Sequence, residues 1–145
     1  MALKMRFLYY SGKAKIKAMG ELVKAEFELT QNHNAIDIIP PAYACENERL
    51  VIIAVSGKGE PDDVLRRFCL ELNKKNANNV ALLVDGDEKM ANSLKQILSD
   101  VGTNVMDDVM FIKVGGLLPF LGAKVTDEEK TALLTWVHKI VDNIK

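Results

Sequence analysis

Long apolar runs are missing from this sequence. Its LVIIAV run at 50–55 falls far short of the roughly 20 residues that span a bilayer. Cysteine is scarce too: Cys45 and Cys69 lie far apart and form no CxxC pair, which excludes a disulfide framework and a cysteine zinc knuckle. They read as buried or idle thiols in a reducing cytosol. Neither sign of charge dominates. The formal net charge of −1 excludes binding to nucleic acid or a membrane surface by bulk electrostatics. The two histidines, His33 and His138, have no ligand spacing. A GxSxG nucleophile elbow and a Walker A loop are both absent. The opening MALKMRFLYYSG has no cleavage-site pattern after its apolar run and reads as mature sequence. Repeats, linkers and low-complexity tracts do not occur.

What is present has the balance of one globular domain, residues 1–145. Hydrophobic residues make up 48% and charged residues 27%, and the length is sufficient for a real core. Strand and helix patterns alternate from end to end. Met5–Tyr10 is aromatic and apolar, as in a central strand. Ile16, Met19, Val23 and Phe27 follow at helical spacing. Residues 35–39 form a short strand closed by Pro40-Pro41. The continuous runs at 50–55 and 80–84 (VALLV) suit strands covered on both faces. Val64, Leu65, Phe68 and Leu72 mark a helix started by Pro61 and Asp62-Asp63. Ala91, Leu94, Ile97, Leu98 and Val101 mark another, stopped by Gly102. Residues 109–114 read as the fifth strand, ahead of Gly115-Gly116. Thr126 and Glu129 form a capping box for a last helix with Leu133, Val137, Ile140, Val141 and Ile144 on its stripe.

Five strands alternating with helices give an α/β chain with a parallel sheet and right-handed crossovers. The connection at 40–49 is near the minimum for a parallel crossover, so any helix in it is short or absent. Residues 117–125 (LLPFLGAKV) are the least regular and are expected to cover one end of the sheet. Tyr9 and Tyr10 end the first strand, one pointing to each face, as core residues. Trp136 is expected to be partly exposed, and Met19 and Met90 to be ordinary helix packing. Asp85 and Asp87 read as turn-formers.

The segment Met5–Gly20 carries the functional signal. A strand runs through Ser11-Gly12 into a helix, and this places backbone amides at a helix mouth, where phosphate binds in many α/β proteins. Lys13, Lys15 and Lys17 follow. They fit an anion site and equally fit the solvated start of a helix.

The order of elements, the length and the strand-one loop Phe7-Leu8-Tyr9-Tyr10-Ser11-Gly12 together resemble a short-chain flavodoxin over nearly the whole chain. The runs from Val51 to Phe68 and from Val80 to Val101 match the family's third and fourth strands with their helices. The resemblance implies a flavodoxin-like three-layer sandwich. Its five-stranded parallel sheet would have the order 2-1-3-4-5, with helices on both faces. The family binds FMN at the carboxyl ends of the strands and transfers electrons to redox protein partners. Ser11, Gly12, Lys13, Ala14 and Lys15 would then hold phosphate, and Ser56, Gly57, Lys58, Gly59, Asp85 and Gly86 would contact the ring. A phosphoreceiver domain would need acids where Ser11 and Ser56 stand.

The residues also depart from that family. Its loop runs roughly Ser/Thr-x-Thr-Gly-x-Thr. Here Ala14 replaces the glycine and limits backbone approach, and Ile16 removes a hydroxyl. The loops 56–61 and 85–88 carry no aromatic residue on which a flavin would stack. Each lost stack removes about 0.5–1.5 kcal/mol, and each lost bond to a charged group about 1.5–3 kcal/mol. FMN would bind about two to five decades more weakly than in a complete site. Two readings follow: an FMN-binding electron-transfer protein or small flavin reductase with a weakened site, and a flavin-free interaction or regulatory module or small-anion binder.

Overall fold

The computed structural model describes residues 4–10, 14–28, 36–39, 45, 47–112 and 125–144, with backbone only at 36–38. Ser11, Gly12, Lys13, His33, Pro40-Pro41, Lys113, Gly115-Gly116 and residues 117–124 lie outside that description. In chain order the elements are β1 Met5–Tyr10, α1 Ala14–Glu26, β2 Ile36–Ile38, β3 Glu48–Gly57, α2 Asp63–Glu71, β4 Ala77–Gly86, α3 Glu88–Asp100, β5 Asn104–Val105, β6 Met110–Phe111 and α4 Asp127–Asn143.

Among the described residues all strand pairs are parallel, in the order β2-β1-β3-β4-β5, and β6 also pairs with β4. The runs at 50–55 and 80–84 are the centres of β3 and β4, each ten residues long. Alternation along these strands divides the core. Leu8, Val51, Ile53, Val55, Leu82 and Val84 face α2 and α3. Phe7, Leu50, Ile52, Ala54, Ala81 and Leu83 face α1 and α4. The sheet is therefore covered on both faces, and this is why its central strands lack polar alternation. Tyr9 packs on the α1 and α4 side and Tyr10 on the other.

Three expectations need correction. The fifth sheet position is not one strand over 109–114. Residues 104–105 pair with Asn79 and Val80, the chain leaves the sheet, and residues 110–111 pair with Leu83 and Val84. The first piece is pinned by side chains. Asn104 Nδ2 donates to Asn79 Oδ1 at 2.7 Å, and Thr103 Oγ1 donates to the Leu72 carbonyl at 2.8 Å. Trp136 is buried, at 7% exposure, because its indole N–H reaches the Asp108 carbonyl at 2.9 Å. A buried indole needs such a partner. Asp87 is more than a turn-former: it is the N-cap of α3.

Other local signals on the described residues are seen in the structure. Thr126 and Glu129 form a reciprocal capping box on α4. Gly102 ends α3 at φ +90°, a conformation glycine adopts without steric cost. Neither Cys45 nor Cys69 is in a disulfide, both are buried, and burial pushes the Cys69 thiol up to about 12. Among the described residues, no helix is long and apolar enough to cross a membrane.

Candidate functional site at the carboxyl edge of the sheet

The strand order reverses between β1 and β3, because β1 leads outward to β2 and β3 leads the other way to β4. In open α/β sheets a ligand crevice forms at such a reversal, beyond the carboxyl ends of the strands. Here that edge is built from the ends of β1, β3 and β4 and the starts of α2 and α3.

Pairing of β3 with β4 persists to the last residues, Ser56 with Asp85 and Gly57 with Gly86. Ser56 Oγ donates to Asp85 Oδ2 at 2.9 Å. The strands are so close at the end that a Cβ on Gly86 would lie 1.8 Å from the Gly57 carbonyl oxygen. Glycine at 86 is thus a packing requirement. Gly59, at φ +77°, turns the following loop back towards α3.

Asp87 then joins two loops. Its Oδ1 accepts from the Met90 amide at 3.0 Å and from the Gly59 amide at 3.1 Å. The Met90 and Gly59 amides, in that order, hold its carboxyl below the usual carboxylate range. Asp62 does the equivalent at α2. It accepts from the Leu65 amide at 3.0 Å and from the Tyr10 hydroxyl at 2.6 Å. The Leu65 amide first, and Tyr10 second, lower its carboxyl. Hydrogen bonding to that carboxylate raises the Tyr10 phenol in turn. Both carboxylates sit on the amides that a helix N-terminus would otherwise offer to a bound anion.

The sequence candidates separate into groups. Ser56, Gly57, Lys58, Gly59, Asp85 and Gly86 come together at this edge, on adjacent strands and the loop between β3 and α2. Lys58 is exposed and adds a small attraction to Asp87. Ala14 is the exposed first residue of α1. Lys15 points elsewhere: it is buried, and its ammonium pairs with Glu129 of α4. Burial alone would raise the Glu129 carboxyl, but Lys15 and the Thr126 amide outweigh it and hold it low. Ser11, Gly12 and Lys13 lie outside the described residues.

Three residues of the edge have roles beyond those the sequence suggests. Tyr10 packs on the core, as its strand position predicts, but its hydroxyl also reaches Asp62. Asp62 starts α2, as its place before the helix predicts, and its carboxylate also accepts from that distant tyrosine. Phe111, at 46% exposure, is brought to the carboxyl end by its pairing with Val84. Among the described residues, no group of three or more His, Cys, Asp or Glu side chains is arranged to hold a metal. Comparison of the chain with protein-family models, curated proteins and solved structures gave no match.

Proposed function

We propose that this chain is a flavodoxin-like domain that carries no flavin and works as an interaction or regulatory module. The observation that carries the reading is the double bond of Asp87. One carboxylate ties the Gly59 amide to the start of α3 and so laces together the two loops between which a flavin ring would lie. Those amides are satisfied within the chain, and a ring would have to break the lacing to reach them. Negative charge from Asp62, Asp85 and Asp87 at the same edge opposes a second anion.

A second reading, weak FMN binding for electron transfer, is favoured by the strand reversal between β1 and β3, with α1 starting at Ala14 just beyond it. On that reading a redox protein is the partner, and the flavin carries the redox step. On the first, the partner is a protein, since the carboxylates of the edge oppose a small anion as they oppose FMN.

Titration of the purified chain with FMN, followed by calorimetry and flavin fluorescence, separates the two. The flavin-free reading expects no heat and no quenching at high micromolar FMN. Saturable binding would overturn it. Lys13→Ala and added salt would then be expected to weaken that binding.

A further inference from the structure

We propose that the groove between α3 and residues 107–111 docks an extended, arginine-bearing peptide segment of a partner protein, a reading that rests on the chain being an interaction module. The groove has a volume of about 430 Å³ and lies beside the divided fifth strand. One wall is a single face of α3, with Glu88, Asn92 and Lys95 at helical spacing. The other contains Asp107 and Phe111.

Charge complementarity identifies the occupant. The Glu88 and Asp107 side chains are exposed and form no ion pair among the described residues. Lys95 is the one cation among the lining residues, its ammonium donating to the Asp107 carbonyl at 3.2 Å, and with Asp108 paired to Lys139 the carboxylates of Glu88 and Asp107 still outnumber it. Phe111 presents an apolar ring at 46% exposure on the same groove. An exposed ring beside two carboxylates suits arginine better than lysine. A guanidinium stacks on an aromatic face, is weakly hydrated, and offers a fork of donors to carboxylates. An extended segment fits because its anchors are spread over the two walls, Glu88 and Asn92 on α3 and Asp107 and Phe111 opposite, and its side chains reach them without adding a strand to the sheet.

The test uses the full chain and a fluorescein-labelled Arg-Gly-Arg-Gly-Arg peptide, read by anisotropy at about 0.15 M salt, where loose surface attraction is screened. Peptides with lysine or glutamate in place of arginine are run alongside. Saturable binding of the arginine peptide is expected, several-fold weaker binding of the lysine peptide, and none of the glutamate peptide. Phe111→Ala should weaken binding about threefold, and the double variant Glu88→Gln, Asp107→Asn about tenfold. Glu71→Gln, at the far end of α2, should change nothing. All these side chains are exposed, so circular dichroism should show the variants folded. No binding by the arginine peptide overturns the proposal, as does equal binding of the lysine peptide with no loss in Phe111→Ala. A dimer in sedimentation that Phe111→Ala dissociates would make a second copy the occupant and also overturn it. Failure here with no FMN binding leaves the flavin-free reading intact. FMN binding together with arginine-selective docking overturns that reading and keeps the groove.

Discussion

The Tyr10 hydroxyl donates to the Asp62 carboxylate at 2.6 Å and joins the end of β1 to the cap of α2 across the strand reversal. The same carboxylate holds the Leu65 amide, so the tyrosine steadies a group that is already ordered. Asp62→Ala should cost about 1 kcal/mol, the usual value of an N-cap, and Asp62→Asn less, because asparagine also caps. Tyr10→Phe keeps the ring and loses one solvent-exposed bond, at a cost of under about 1 kcal/mol. In the Asp62→Ala background Tyr10→Phe should be nearly neutral. Urea unfolding of the four proteins measures the coupling; additive losses would mean that the two side chains act separately.

Acid should weaken the fold through the same caps. Asp62 and Asp87 are held below their ordinary values by helix amides. A carboxyl lowered on folding stabilises the protein while ionised. Its contribution is complete above the unfolded carboxylate range and disappears as the pH falls through the folded value. Tyr10 has the opposite sign. Its contribution is complete below the unfolded value of about 10 and is lost as the pH rises through the raised folded value. Thermal unfolding across pH should show a plateau between these limits. Asp87→Asn should flatten part of the acid limb and leave the alkaline limb intact, whereas Asp62→Asn should shrink both, because the Asp62 carboxylate is what raises the Tyr10 phenol.

Gly86 and Gly59 should answer alanine differently. At Gly86 the new methyl would meet the Gly57 carbonyl oxygen, which is backbone and cannot swing aside. Separating β3 from β4 there should cost about 3 kcal/mol or more, the upper end of overpacking, because the clash is with backbone. At Gly59 nothing lies within 4 Å of a Cβ, and only φ +77° resists. That cost is about 1–2 kcal/mol, and Gly59→Asn should recover part of it. Denaturant midpoints distinguish the two; equal losses for both alanines would contradict the steric account.

Glu129 has two duties, the capping box on α4 and the ion pair with the buried Lys15. Glu129→Gln keeps an acceptor for the Thr126 amide and removes the charge facing Lys15. A loss of about 1 kcal/mol is expected, between the limits for exposed and buried pairs. Glu129→Ala should lose more, because the cap goes as well. If glutamine and alanine are equally damaging in chemical denaturation, the cap contributes little.

Elements governed by local chemistry or by burial on two faces were legible before the structure. The runs at 50–55 and 80–84 marked β3 and β4, and Thr126 with Glu129 marked the start of α4. Elements that depend on distant partners were not. Asn104 has little strand propensity of its own and is placed by Asn79, 25 residues earlier. Trp136 is buried by a carbonyl 28 residues away. The candidate site divides in the same way. Asp62 and Asp87 sit at capping positions that the sequence displays, while their second partners, Tyr10 and Gly59, lie 52 and 28 residues away. No spacing rule brings those pairs together; the parallel register does.

The divided fifth strand has a consequence for how this sheet ends. Its central strands are ten residues long, whereas β2 has three residues and β5 and β6 have two each. An open edge invites another chain to add to it, and the invitation grows with the length of unbroken ladder. Among the described residues the edge at β5 and β6 is two ladders of two residues each, separated by residues 106–109, and Asp107 and Asp108 stand in the gap. A sticky strand from a neighbouring molecule finds no template there long enough to hold it. Among the described residues, this margin is short and carries its charge in the gap, and the long apolar strands β3 and β4 lie inside it.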